Sequence, residues 1–203
     1  MAQKVIAVVG SYRKGGNTDA VVCAVLAGAR EKGAETHTIY LIDRPIEFCT
    51  NCRQCMQAPG EQRGRCVQPD GLESLIEEIE AADAIVLGTP VNHGNATAIF
   101  RRFMERLVGT AYWPWGQKAP AGRKKTPTRK AVLVATSAMP GFMIPLFTGT
   151  AYALRTTAQM LGAKPVGSLW IGLVAGEPHH QLSARDRERA RRLGWKLAGG
   201  SIE

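Results

Sequence analysis

Lys4-Val5-Ile6-Ala7-Val8-Val9, running into Gly10-Ser11-Tyr12-Arg13-Lys14-Gly15-Gly16-Asn17-Thr18, sets the terms for the rest of the chain. The first six residues are a continuous apolar, mostly β-branched run, which suits a strand covered on both faces. The loop after it opens a helix from about Asp19 to Lys32, with Ala20, Cys23, Ala24 and Ala27 among its small and apolar positions and Gly33 as the residue that stops it. Outward from this unit the pattern repeats. A second strand fits 35–41. A helix fits 72–82, with Asp70 as a candidate cap and Leu72, Leu75, Ile76 and Ile79 as its apolar stripe. A third strand covers 84–87, a helix 97–107, a fourth strand 131–135, a helix from about Phe142 or Pro145 to Leu161, a fifth strand 166–173 and a basic helix 184–197. This alternation predicts a doubly wound, five-stranded parallel sheet with helices on both faces and right-handed crossovers. The chain reads as a single domain, 1–203, with a cysteine-rich insertion at about 42–69 and a basic Trp/Pro loop at about 109–129. In such a sheet ligands bind beyond the carboxyl ends of the strands, where the loops 10–18, 89–95 and 136–141 all emerge.

The composition narrows the class. The 203 residues carry 26 Lys+Arg against 17 Asp+Glu, a formal charge of +9, with 45% hydrophobic and 21% charged residues. Those proportions exclude a disordered tail, a coiled coil or a collagen. No run of apolar residues is long enough to span a bilayer, and the start of the chain lacks the pattern of a signal peptide, so a cytoplasmic location is expected. The positive charge favours anionic partners without choosing among them. Of five cysteines, Cys49, Cys52, Cys55 and Cys66 cluster, which suggests metal or redox chemistry rather than a disulfide framework. Cys23 stands apart and reads as a small buried hydrophobe.

The first loop has the parts of a phosphate site. Its glycines let backbone N–H groups point inward, Ser11, Asn17 and Thr18 add side-chain donors, Arg13 adds charge, and the helix N-terminus adds partial positive charge. The G-x-G-x-x-G fingerprint is absent, and Gly16 stands where a P-loop requires lysine. The loop therefore suits one terminal phosphate better than a pyrophosphate or triphosphate. The segment Thr89-Pro90-Val91-Asn92-His93-Gly94-Asn95 reads as a rigid polar turn whose backbone amides could meet the edge of a flat heterocycle. No carboxylate ends that third strand, which counts against a phosphoacceptor receiver domain.

The first loop, the cysteine run, Ala81-Ala82-Asp83-Ala84-Ile85-Val86-Leu87-Gly88-Thr89-Pro90-Val91 and Phe103-Met104-Glu105-Arg106-Leu107 occur in an order that resembles the flavodoxin-like NADPH-dependent FMN reductase family, including its iron–sulfur flavoprotein branch. The resemblance covers about 3–108 well and 130–175 more loosely. It implies strand order 2-1-3-4-5 and FMN held non-covalently at the switch point. By position, Ser11, Arg13, Gly16, Asn17 and Thr18 would hold the FMN phosphate. Pro90, Val91, Asn92, His93, Gly94 and Asn95 would flank the ring, and Thr136 with Ser137 would line its other side. Two departures stand out: Asn92 and His93 replace the aromatic common after Pro-Val, and Ser137-Ala138-Met139-Pro140-Gly141 replaces a glycine-rich turn. The resemblance further implies a ping-pong oxidoreductase, in which hydride passes from NAD(P)H to the flavin and on to a small acceptor such as a quinone or flavin. No side chain acts as nucleophile or base, since the cofactor carries the chemistry. A homodimer or homotetramer is implied as well. The final acceptor and the choice between NADH and NADPH stay open.

The close spacing of Cys49, Cys52 and Cys55 lets three thiolates converge on one metal or cluster, with Cys66 as a fourth ligand. An all-sulfur set suits a [4Fe–4S] cluster, or Zn²⁺ less naturally. The iron–sulfur branch places its fourth cysteine sooner, whereas ten residues separate Cys55 from Cys66 here. Free thiols near the flavin are the other reading. The alternative function is thus an iron–sulfur flavoprotein that carries electrons without turnover of its own, although simple flavodoxin carriers are acidic and this chain is not. Between Trp113 and Lys130, two tryptophans mix with Lys118, Arg123, Lys124, Lys125, Arg129 and Lys130, with Arg106 just before. This stretch is expected to be a solvated loop; a lid for NADPH phosphates, a subunit-contact arm or a nucleic-acid surface are its other readings, and nucleic acid is disfavoured. Arg185-Asp186-Arg187-Glu188-Arg189 reads as a solvated helix face, and His179-His180 as a loop pair rather than a metal site.

Overall fold

The computed structural model describes residues 2–123, 126–177, 179 and 181–199. Lys124, Lys125 and His180 lie outside them. The strands are β1 (Lys4–Val9), β2 (Glu35–Tyr40), β3 (Ala84–Asn92), β4 (Asn95–Ala96), β5 (Ala111–Tyr112), β6 (Ala121–Gly122), β7 (Arg129–Thr136) and β8 (Ala163–Ile171). The helices are α1 (Asn17–Glu31), α2 (Leu72–Glu80), α3 (Ala98–Arg106), α4 (Ile144–Phe147), α5 (Thr150–Met160) and α6 (Ala184–Ala198). The five long strands are parallel and ordered β2-β1-β3-β7-β8. Counted over those five alone this is 2-1-3-4-5, the flavodoxin-like order, whose switch point lies between β1 and β3.

Side chains alternate across the pleat and build a core on each face. Ile6, Val8, Ile85, Leu87 and Leu133 pack with Leu75 of α2, Phe100 of α3 and Leu154 of α5. Val5, Ala7, Val9, Val86 and Val134 pack with Val22 of α1 and Ala190 of α6. Two glycines let α1 and α6 meet backbone to backbone. A Cβ on Gly28 would stand 2.2 Å from the Arg191 carbonyl oxygen, and one on Gly194 would stand 2.1 Å from that of Val25.

Several expectations need correction. Cys23 is exposed rather than buried. The helix turns Val21, Val22, Val25 and Leu26 inward instead, leaving Cys23 on the outer side near Asp19. The helix expected up to Leu161 is broken: Thr148 is extended and Gly149 begins α5. The break is where the β3–β4 hairpin docks, since the Gly149 N–H donates to the Gly94 carbonyl at 2.9 Å and a Cβ at 149 would lie 2.8 Å from the Asn95 amide nitrogen. Gly71, not Asp70, is the N-cap residue of α2. Asp70 still accepts from the Leu72 N–H at 3.1 Å, but it also serves Arg106. Finally, the basic stretch is not simply solvated. Arg106 and Arg123 are buried, and the Arg129 guanidinium donates to the carbonyls of Ala82, Leu161 and Glu80.

Candidate functional site

The carboxyl ends of β1, β3, β7 and β8 converge on one cavity of about 510 Å³, within the usual range for a small-molecule site. The turn after β1 is anchored from below. Gly10 donates to the Gly88 carbonyl at 2.7 Å, and its own carbonyl accepts from the Thr97 and Thr89 hydroxyls at 2.6 and 3.2 Å. Above it, the Ser11 hydroxyl accepts from the Arg13 N–H at 3.1 Å and so holds the loop in a tight local turn. Gly15 takes a left-handed φ of +69°, and its N–H donates to Asp19 at 2.8 Å. Helix α1 then starts at Asn17 with Gly16 as its N-cap, and no side chain caps it. An uncapped first turn has N–H donors to give to an anion.

The oxygens of Asp19, in the first turn of α1, are engaged. They accept from Gly15 and, at 2.9 and 3.0 Å, from the Tyr40 hydroxyl. Burial, and then this bond to Asp19, push the Tyr40 hydroxyl up to about 12, so it remains a donor throughout the physiological range.

On the opposite wall the Thr18 and Thr136 hydroxyls bond each other at 2.7 Å in the interior. The loops after β7 and β8 are zipped together: Ser137 donates to Ile171 and Val174 donates to Ser137, at 3.0 and 3.1 Å. Asn17 ties them to α1 by donating to the Val174 carbonyl at 2.7 Å. Gly172 is required here, because a Cβ would lie 2.1 Å from the Gly141 nitrogen and 2.3 Å from the Met139 oxygen.

Of the residues expected in the site, Ser11, Arg13, Gly16, Asn17, Thr18, Pro90, Val91, Asn92, Thr136 and Ser137 all line this cavity. His93, Gly94 and Asn95 do not. Strand β3 runs on through Asn92, and the reversal falls at His93 and Gly94, whose φ values are 47° and 72°. These three build the hairpin that presents 90–92. The sequence reading missed Tyr12, Ala138 and the segment Val174-Ala175-Gly176-Glu177. Its signal was available: 172–177 follows the last strand just as the other loops follow theirs. His179, beside it, contacts the Gly15 carbonyl at 3.1 Å.

The cysteine loop is a second assembly. Asn51 and Arg53, both left-handed, flank Cys52 and curl the chain, and the Cys49 sulfur accepts from the Asn51 N–H at 3.4 Å. Burial, followed by the thiols of Cys66, Cys49 and Cys52, pushes the Cys55 thiol up. Among the described residues no group of three or more His, Cys, Asp or Glu side chains is arranged to hold a metal ion. Arg123 pins its far end, donating to the carbonyls of Cys55, Ala58, Gly60, Gly109 and Ala111. Arg53 lies 4.0 and 4.2 Å from the ring centres of Trp113 and Trp115, clipping the loop to the β5–β6 hairpin. Arg106 donates to Asp70 and to the Cys66 sulfur. Burial alone would push the Asp70 carboxyl up, but Arg106 and the N–H groups of Glu47 and Leu72 outweigh it and hold it below the usual carboxylate range.

A parallel sheet of this order, with a cavity at its switch point, defines the flavodoxin-like fold. The family model for NADPH-dependent FMN reductases matches residues 3–177, and the chain belongs to that family. It is therefore an oxidoreductase that works with FMN. An iron–sulfur flavoprotein of Archaeoglobus fulgidus is 27% identical over 202 residues, covering 96% of this chain and 79% of the relative. An iron–sulfur flavoprotein of Methanocaldococcus jannaschii is 34% identical over 103 residues, about half (51%) of each chain. The FMN-bound structure of an FMN-dependent NADH-azoreductase from Bacillus anthracis shares the fold, with a TM-score of 0.68 and 11% identity over 97% of this chain and 100% of that one. No helix among the described residues is long and apolar enough to cross a membrane.

Proposed function

We propose that the protein oxidises NAD(P)H and passes the electrons to a small acceptor, such as a quinone or flavin, with FMN in the cavity above β1, β3 and β7. One observation carries this reading: the uncapped N-terminus of α1 and three strand-end loops line a single cavity of about 510 Å³. The residues suit the group. Gly16, Asn17 and Thr18 offer first-turn N–H donors to one phosphate, and Ser11 and Arg13 close around it. Pro90, Val91 and Asn92, with Thr136 beside Pro90 on the neighbouring strand and Ser137 after it, line the remaining space, where a flat ring would lie. When bound, FMN supplies hydride acceptance and electron release. The chain's part is to anchor the phosphate, orient the ring and exclude water beneath it. Exposed Phe142, Leu146, Phe147 and Tyr152 support a homodimer or homotetramer. The two cores on one sheet support a single domain with two packed insertions. The cations spent on internal carbonyls disfavour nucleic acid, and the cytoplasm remains our reading of its location.

The test is binding. Protein purified without air should show flavin absorbance, and in a calorimeter it should bind FMN about a hundredfold more tightly than riboflavin, which lacks the phosphate. A colourless protein that binds neither overturns the reading. Rapid mixing with NADH and NADPH then identifies the donor.

The four-cysteine run and the iron–sulfur flavoprotein relatives support a second reading, that of an iron–sulfur flavoprotein carrying electrons. Cys49, Cys52, Cys55 and Cys66 would hold a [4Fe–4S] cluster, a set of four soft sulfur donors whose chemistry fits one. Such a cluster supplies one-electron transfer. Iron and sulfide assays on anaerobic protein test it.

A further inference from the structure

We propose that Tyr40 is a positioning residue for the flavin phosphate, holding the turn before α1 in its binding shape through Asp19 and Gly15. The inference rests on the FMN reading above. Tyr40 ends the edge strand β2, level with Val9 at the end of β1. Its hydroxyl donates between the two Asp19 oxygens, at 2.9 and 3.0 Å. Asp19, in the first turn of α1 and only 6% exposed, in turn accepts from the Gly15 N–H at 2.8 Å. Gly15 stands at its left-handed φ of +69° immediately before Gly16, the N-cap residue. One chain of hydrogen bonds thus runs from the edge strand, through the helix, to the residue preceding the donors offered to the phosphate.

The turn needs such a hold. Tyr12, Arg13, Lys14 and Gly15 are exposed, slung between buried Ser11 and buried Gly16. Glycine loses more backbone freedom on ordering than any other residue, and two stand here in succession. Ordering left until the ligand arrives is subtracted from its affinity, whereas a turn fixed beforehand adds no such cost. Other ties to this stretch are made from exposed positions. Lys14 pairs with Asp43 at 2.6 Å and lies 5.3 Å from the Tyr40 ring centre, with both charged side chains about half exposed, and His179 touches the Gly15 carbonyl at 3.1 Å. Exposed pairs contribute little, and a hydrogen bond to a buried carboxylate is the stronger kind. The flavin ring would lie against Pro90, Val91, Asn92 and Thr136 instead, so loss of the Tyr40 link falls on the phosphate.

The experiment uses the full chain freed of flavin, as wild type, Tyr40→Phe and Asp19→Asn, with FMN and riboflavin each titrated in a calorimeter. Tyr40→Phe keeps the ring beneath Lys14 and removes only the hydroxyl. It is expected to bind FMN about tenfold more weakly than wild type and riboflavin equally well. The Gly15 N–H of the unliganded variant is expected to exchange its hydrogen faster. Asp19→Asn separates the hold from charge: removing a negative group near an anion would tighten FMN, whereas loss of the link weakens it. Where Tyr40→Phe does not fold, Asp19→Asn decides alone, by that sign. Tyr40→Phe that weakens both flavins alike, or neither, overturns the inference while leaving the FMN reading intact. Gly15 exchange as slow as in wild type, or Asp19→Asn that tightens FMN, does the same. A wild type that binds neither flavin overturns both.

Discussion

The rim above the strand ends and the cysteine loop each hold a set of reactive groups, and they do so with different parts. The rim is made of strand termini, a helix start and small side chains. Its walls touch through backbone hydrogen bonds and close glycine contacts, as between 137–141 and 171–174. The cysteine loop has almost no regular structure beyond a single 3₁₀ turn at Gln54–Met56. It is held by arginines that pair with carbonyls, a carboxylate and aromatic rings far away in sequence. The rim should therefore tolerate the loss of any one polar side chain and the loop should not, while neither tolerates added volume at its close glycines, since a Cβ on Gly64 would stand 1.7 Å from the Cys55 carbonyl oxygen.

Removing Arg123 should have the largest effect. Arg123→Met strands five carbonyls, and we expect a loss of about 4 kcal/mol in urea unfolding, with the cysteine loop opening first in hydrogen exchange. An unchanged midpoint would erase the contrast. Asp70→Asn should cost about 3 kcal/mol at neutral pH by leaving Arg106 underpaired. Because the folded Asp70 carboxyl lies below its ordinary value, its contribution is complete above about pH 4 and fades as pH falls through the folded value. The gap between wild type and variant should thus narrow on acidification, and a gap independent of pH would contradict the pairing. For the rim, Gly172→Ala should cost about 2 kcal/mol and weaken FMN binding at least tenfold, through backbone clashes alone. Trp113→Leu should be the mildest, about 1 kcal/mol, since Arg53 keeps its stack on Trp115. A larger loss would show that the clip, rather than Arg123, holds the loop.

Much of the rim was legible because each part is local. A β-branched run, a glycine loop and the helix after it sit within a few residues of each other, and the parallel sheet puts every such loop on one edge. What misled was the register of details. Reading 89–95 as one turn missed that β3 continues to Asn92, so His93, Gly94 and Asn95 build a hairpin instead of lining the cavity. The loop after β8 was overlooked because its residues, Val174 to Glu177, carry no motif. Cys23 was placed inside because α1 is apolar around much of its circumference, and only the approach of α6 at Gly28 decides which side is covered.

Taken alone, the chain determined the βα alternation, the parallel sheet, the phosphate-sized loop and the flavin family they resemble. The alternation, the sheet and the loop follow from periodicity and turn chemistry over short spans, and the family from the resemblance of the motifs in their order. Only the tertiary structure decided that Arg106, Arg123 and Arg129 turn inward, that Arg106 meets the Cys66 sulfur, and that Tyr40 donates to Asp19. A cation's partner is set by what the fold carries to it from dozens of residues away, and nothing in the spacing of arginines along a chain records whether that partner is water or a buried carbonyl.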